Sequence, residues 1–534
     1  MFRRASTSCR RGRLPLKNKQ GSFQQSDGAT GRFAFFMPFL GYGKGADFLL
    51  RDEEILESVL SEFEKLAAIP RPSGEERAVS DYLHGTFSRL GCTVVQDDVY
   101  NVIADLAATP GYERVPRTIL QGHMDMVCVA DEGVVYDPRR DPIRLVRTEK
   151  YLAADGTSLG ADDGIGVAEI LHLVQHAPEP HGPLRAIITV DEETGMTGAR
   201  RLDAKYLADA TFCLNCDSEE DDLLTVGSAG GLDMEYRRLL HWRPAGNGSA
   251  WKLTVGGLKG GHSGERIGDG RGNAIQILAQ ILFAMGQEAI PVAVASLEGG
   301  TARNAIPATA AAIFVSNVEE EKIRQVMAGQ KQRFLSAYGS VDPNITLQLV
   351  PVAKPEQVMA AEDATALMKL ILVLHSGVYA MSPHLPELVE TSANLGLLRT
   401  EEDEAWFTYY PRSSVDEKLR WFQNTGRFFG EKFGCSVRIG EPMPAWQERP
   451  DSPLAELAAR VFQEQRGQKM RVAAIHAGLE VSFLVKKNPA IDVVSVGVTT
   501  LDIHSPRERL LLSTVAPQIR LLSEILRRIA IGDF

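Results

Sequence analysis

The sequence predicts an α/β protein: a mixed, mostly parallel sheet with helices on both faces, interrupted by an inserted α+β lid domain. Three observations predict it. Short apolar β-like runs alternate with helical patterns over roughly residues 53–225, the mark of a layered α/β architecture. The texture then changes to glycine-punctuated alternating strands, and the first texture returns after Gly440. Finally, acids and histidines directly follow several of the apolar runs, where open α/β sheets place their ligands.

In chain order, Ile55, Leu56, Val59, Leu60, Phe63 and Leu66 recur at helical spacing and predict a first helix, which Pro70 and Pro72 end. Ser73-Gly-Glu-Glu76 reads as a capping box opening a second helix, with Val79, Tyr82, Leu83, Phe87 and Leu90 inward and Gly91 as its stop. Strands are predicted at 92–95, 102–106, 118–121, 184–190 and 208–214, with a helix starting near Gly164 between two of them. Beyond 225, helices near 271–287, 318–337, 361–374 and 414–434 accompany the alternating strands. A helix at 453–465, a strand at 491–496 and a last helix at 515–531 then complete the first domain.

A chain of 534 residues exceeds a single core and implies several domains. The expected division is an N-terminal extension (1–48), a first catalytic part (49–228), a lid (229–438) and a second catalytic part (439–534). Residues 1–36 carry eight basic residues against the single acid Asp27. Their composition resembles a transit peptide but lacks an amphipathic helix, so they read as a disordered tail, or as sequence upstream of a start near Met37, on a cytoplasmic protein.

The apolar fraction of 44% and the charged fraction of 24% are those of a globular protein. A net charge of −11 disfavours nucleic acid and anionic membranes as general partners. No run of about 18 apolar residues exists to span a bilayer. Six scattered cysteines suit a reducing compartment. Cys213-Leu-Asn-Cys216 lies inside an apolar run and reads as strand packing rather than a zinc ribbon or redox pair.

Five clusters carry the chemistry: His123-Met-Asp125, Asp162-Asp163, Glu192-Glu193, Asp217 and His504. In extended backbone, residues two apart share a face, so Asp125 can accept the second imidazole N–H of His123 and fix its tautomer. Asp162-Asp163 between Gly160 and Gly164 opens a helix, either as a plain cap or with Asp162 bridging two metals. Glu192 and Glu193 repel each other unless a cation intervenes. One can bind metal while the other faces substrate as a base; a solvated turn is the plainer reading. Together these are the N and O donors that a divalent metal takes.

Within the inserted segment, Gly260-Gly261-His262-Ser263-Gly264 is no Walker loop, since no Lys-Ser/Thr pair follows. His262 is either a turn residue or an oxyanion donor. Arg303-Asn304 and Arg412 are surface residues or groups for a carboxylate. His476-Ala-Gly478-Leu-Glu480 is a further glycine-flanked polar turn.

These strings, with Ser-Leu-Gly-Ala-Asp-Asp-Gly-Ile-Gly (158–166), Ala-Arg-Asn-Ala-Ile-Pro (302–307) and His-Ser-Pro (504–506), resemble the co-catalytic zinc metallopeptidases of the aminoacylase and carboxypeptidase-G type. The match is to their aminoacyl-histidine dipeptidase branch, over about residues 50–534. The resemblance implies two divalent metal ions per chain, zinc by expectation, with manganese or cobalt tolerated by the same donors. It implies that His123, Asp162 and Asp217 hold one ion and Asp162, Glu193 and His504 the other. Asp125 orients His123, Glu192 is the general base, and the Asp162–Asp163 peptide is cis. His262 steadies the carbonyl oxygen, while Asn304, Arg412 and the Gly478 loop hold the substrate's terminal carboxylate.

The implied activity is hydrolysis of unblocked dipeptides such as Xaa-His and Cys-Gly, with a homodimer through the lid left open. Alternatives on the same metal site are an N-acyl amino acid deacylase, a carboxypeptidase or a non-catalytic binding protein. Val481-Ser482 departs from the Cys-Gly expected of this branch, which bears on substrate preference.

Overall fold

A computed structural model describes residues 50–385 and 387–533; the expected extension 1–48 lies outside them. The first helix, Asp52–Ala67, buries Ile55, Val59, Leu60, Phe63 and Leu66 along one stripe, as the 3.6-residue period requires. The second, Arg77–Arg89, begins without any side-chain cap, so the expected capping box does not form. Ser73 Oγ donates instead to Asp125 Oδ2 at 2.7 Å, and Glu76 Oε1 accepts from the Gly74 and Asp191 amides. A fully buried carboxylate left short of donors is costly, and it takes the hydroxyl that a local cap would have used.

The first sheet has eight strands in the order Thr93–Gln96, Val102–Leu106, Leu184–Thr189, Arg117–His123, Ala210–Ser218, Asp492–Gly497, Leu223–Ser228 and Arg471–Ile475. Arg117–His123 runs parallel to both neighbours, and Asp492–Gly497 runs parallel to Ala210–Ser218. The ends of these four strands therefore share one edge. Ala210–Ser218 continues beyond the expected end at 214 and carries Asp217 within it.

Alternation along the strands sends Leu120, Ala186, Ile188 and Leu214 to one face. There they join the helices Asp52–Ala67, Arg77–Arg89, Ala161–Gln175, Pro453–Arg466 and Val515–Ile531. Ile119, Ile187 and Cys213 face the opposite side, against Ala199, Val481 and Leu484 of two short helices. Cys216 packs on the first face and Cys213 on the second. The pair is strand packing.

A second, antiparallel sheet of ten strands is built entirely between Gly230 and Ile439. Its core gathers Phe314, Leu395, Phe407 and Tyr409 against the helices Ala274–Gln287, Glu320–Tyr338, Ala361–Val373 and Asp416–Lys432. In chain order it interrupts the first sheet between Leu223–Ser228 and Arg471–Ile475. The last helix, Val515–Ile531, has the predicted bounds.

Candidate metal and catalytic site

His123 ends the strand Arg117–His123, and its ring is almost wholly buried. Its Nε2 lies 3.2 Å from Asp162 Oδ1 and 3.7 Å from Asp217 Oδ1. The other oxygen of Asp162 lies 3.1 Å from Nε2 of His504, which in turn is 3.0 Å from Glu193 Oε2. One carboxylate thus faces two imidazoles from opposite ends of the chain. His504 reaches it from a turn with φ 56°, after the central strand Asp492–Gly497. The Asp162–Asp163 peptide is cis.

Asp125, fully buried, ties this cluster to the backbone. Its Oδ1 lies 3.3 Å from His123 Nδ1 and accepts the Glu192 amide at 3.0 Å; its Oδ2 accepts the Ser73 hydroxyl and the Glu193 amide at 2.7 and 3.2 Å. Glu192 and Glu193 consequently diverge. Glu193 reaches His504, whereas the Glu192 carboxylate makes no hydrogen bond or ion pair with any described residue.

Asp163 also clusters with His123 and Asp217, but it is the less suitable ligand. Its Oδ2 already accepts the His123 amide at 3.0 Å, and its carboxylate packs against Gly122 and Gly166. Asp162, with an oxygen toward each imidazole, is the better one.

Charge states follow from crowding. Burial opposes the His123 imidazolium, but Asp125, Asp162 and Asp217 outweigh it and hold the ring well above its usual value. Hydrogen bonds to Asp162 and Glu193 push His504 up to about 11. Burial lifts Asp217 to about 6, with Asp162 and Glu193 adding repulsion. Burial likewise raises Glu192 well above its usual value. Such a surplus of buried negative charge calls for cations. His123, Asp162 and Glu193 present ligand atoms within 4.8 Å of one another. These N and O donors fit divalent zinc, manganese or cobalt.

The remaining expected site residues gather elsewhere. His262 sits on the short strand Gly261–His262, paired with Ala305–Ile306, and Asn304 gives its carbonyl to the Ser263 amide at 2.7 Å. Arg412 is buried on the strand Glu404–Ser413, 4.7 Å over the Tyr410 ring, with no acidic partner among the described residues. After burial, its charge is the next cause depressing both His262 and His476. His476 Nε2 meets Ser392 Oγ at 2.7 Å, and Gly478 follows two residues later, its Cα facing Met443. No hydrogen bond or ion pair among the described residues joins His262, Asn304, Arg412 or Gly478 to the metal-type cluster.

Sequence reasoning missed several residues that shape the site. Local pattern alone makes Ser73 a helix cap. In sequence Glu480 is only part of a turn; in the structure it is fully buried, where Thr189 donates to it at 2.7 Å and Gln121 also donates. Arg71 and Glu508 carried no local signal. Their partners lie 53 to 349 residues away, and no motif spacing reaches that far.

The family profile described as peptidase family M20/M25/M40 matches residues 119–528. A cytosol non-specific dipeptidase from Escherichia coli K12 is 32% identical over 470 residues, 88% of this chain and 96% of that protein. The crystal structure of aminoacylhistidine dipeptidase from Vibrio alginolyticus superposes with a TM-score of 0.81 at 31% identity, covering 88% of this chain and 96% of the other. A tripeptidase from Staphylococcus aureus, at 17% identity and a TM-score of 0.51 over 89% of this chain and 99% of its own, shares the fold. No helix among the described residues is long and apolar enough to cross a membrane.

Proposed function

The chain belongs to peptidase family M20/M25/M40, and from that premise we propose that it hydrolyses the peptide bond of unblocked dipeptides at a site for two divalent cations. The observation that carries this reading is Asp162, whose two oxygens face His123 and His504 separately. In our assignment His123, Asp162 and Asp217 hold one cation, and Asp162, Glu193 and His504 the other. Zinc is the metal we infer. When bound, such a pair would acidify a water nucleophile and polarise the scissile carbonyl.

The protein's own groups do the rest. Asp125 fixes the His123 ring and, through two backbone amides, the divergence of Glu192 from Glu193. The unpaired Glu192 carboxylate, raised by burial, takes the proton of the attacking water and passes it to the departing amine. His262 would donate to the developing oxyanion from the segment 229–438, which we read as a lid. The buried, acid-free guanidinium of Arg412, with Asn304 and the Gly478 loop, would receive the substrate's free carboxylate. The dipeptidases named above support this substrate class. A cytoplasmic location and pairing through the lid belong to the same reading.

The test is Glu192→Gln. Turnover of Xaa-His and Cys-Gly dipeptides should fall by about 10²–10⁴-fold while bound metal stays at two per chain. Loss of metal in that variant would make Glu192 a ligand and overturn the assignment. Hydrolysis of N-acetyl amino acids in preference to dipeptides would overturn the substrate.

A further inference from the structure

Two buried charges that touch no substrate-facing group clamp the turn carrying Asp162. Glu508, 2% exposed and four residues past His504, accepts four successive backbone amides. Its Oε2 takes those of Leu159 and Gly160 at 2.8 and 2.9 Å, and its Oε1 those of Ala161 and Asp162 at 2.8 and 3.3 Å. Arg71, also 2% exposed, binds the carbonyl side of the same region. Its Nη2 donates to Gly160 O at 2.5 Å, and its Nη1 to Met124 O and Asp125 O, both at 2.9 Å.

The acid takes N–H groups, the guanidinium takes carbonyls, and every one of these bonds is to main chain. Through main-chain bonds, this pair ties together three ligand-bearing stretches, at 123–126, 159–162 and 504–508.

The local sequence makes room for it. Gly160 has φ 70°, and a Cβ there would lie 2.6 Å from Arg71 Nη2. A Cβ on Gly164 would collide with the same guanidinium and sit 3.0 Å from the Phe63 ring. Gly164 is thus explained by Arg71, whereas at Gly160 the positive φ, Met126 and Arg71 all exclude a side chain. Burying opposite charges on either side of a turn is a poor way to gain stability, because desolvation offsets their attraction. It is an effective way to stop a backbone from moving, since seven directed bonds converge on so few residues.

We propose that Arg71 and Glu508 are positioning residues of the two-cation site, holding the Asp162 turn so that its carboxylate can face both His123 and His504. The proposal rests on the metal assignment given above. The experiment compares Glu508→Gln, Arg71→Lys and Gly164→Ala with the unmutated full-length chain. Glu508→Gln puts an amide donor against two N–H groups. Arg71→Lys keeps the charge but cannot span all three carbonyls. Gly164→Ala keeps both charges and crowds the guanidinium first, with the Phe63 ring behind it.

Affinity for each cation is read by chelator competition, site geometry by the visible spectrum of the Co(II)-loaded protein, and stability by urea unfolding. Each variant should bind the more weakly held cation about 10–100-fold less tightly and shift the Co(II) bands. The dipeptidase kcat should fall with KM within about twofold. Pairing Glu508→Gln with Arg71→Lys should add little to the worse single change, because both act on one turn. Unaltered cation affinity and Co(II) spectra, with only the urea midpoint lowered, would make the pair structural support and overturn the proposal. Fewer than two cations on the unmutated chain would sink the metal assignment itself, which the variants cannot do.

Discussion

Replacing Asp125 by asparagine keeps the shape of a fully buried side chain and changes only what it can accept. An amide nitrogen must take the place of one oxygen. At Oδ1 it would oppose both the Glu192 amide and the imidazole of His123. At Oδ2 it would oppose the Glu193 amide alone, because the Ser73 hydroxyl can rotate and accept. The second orientation wins. It forfeits one charge-assisted bond to the backbone and weakens those that remain. At roughly 1.5–3 kcal/mol per hydrogen bond to a charged group, the loss is about 2–4 kcal/mol of stability. His123 also loses the carboxylate that orients it, which lowers cation affinity about 10–100-fold. Urea unfolding of the metal-loaded protein and chelator competition measure the two effects. Stability within ~0.5 kcal/mol of the parent, together with unchanged cation affinity, would refute the reasoning.

Other consequences are as direct. Dialysis against a strong chelator should lower the thermal midpoint, because Asp162, Asp217, Glu192 and Glu193 are then left to repel one another with only two imidazoles to offset them. Refilling with zinc, manganese or cobalt should restore it, by about 2.7 kcal/mol when free metal is a hundredfold above its Kd; an unmoved midpoint would contradict a cation site. His172, on the helix Ala161–Gln175, is pushed down to about 4 by burial and by the neighbouring His176. Its folded value lies below the unfolded one of about 6.5, so the unfolded chain binds more protons between these limits and stability falls as the pH drops through that window. His172→Leu should flatten that part of the stability–pH curve, and an unchanged slope would place the acid sensitivity elsewhere.

The parts of the site legible in the sequence were those written into local patterns. His123, Asp217 and Glu192-Glu193 each come at or just after an apolar run, and Asp162 sits among glycines; the structure brings His123, Asp162, Asp217 and Glu193 within a few ångströms of one another where parallel strands align their ends. His504 is legible through the return of the first texture after Gly440 and through the His-Ser-Pro string it opens. What stayed hidden depends on where the chain folds back on itself. Ser73 satisfied every local criterion for a helix cap, yet a carboxylate 52 residues away claims its hydroxyl. Glu480 meets Gln121 and Thr189 across 359 and 291 residues. A buried polar group declares itself in sequence only when its partner is near in the chain, and theirs are not. The His262 and Arg412 group is named from its residues, while the contacts that bring His262, Arg412 and His476 near one another come only from the fold.

The strand Asp492–Gly497 sits in the middle of the first sheet, flanked by strands made more than 260 residues earlier. During synthesis the antiparallel ten-stranded sheet is therefore complete while the other still has a gap at its centre. A message truncated just short of this strand yields a chain with one finished half and two raw β edges, a template for aggregation. His504 emerges from the ribosome later still. Asp162 must wait for 342 further residues to be made before the imidazole of His504 can face it.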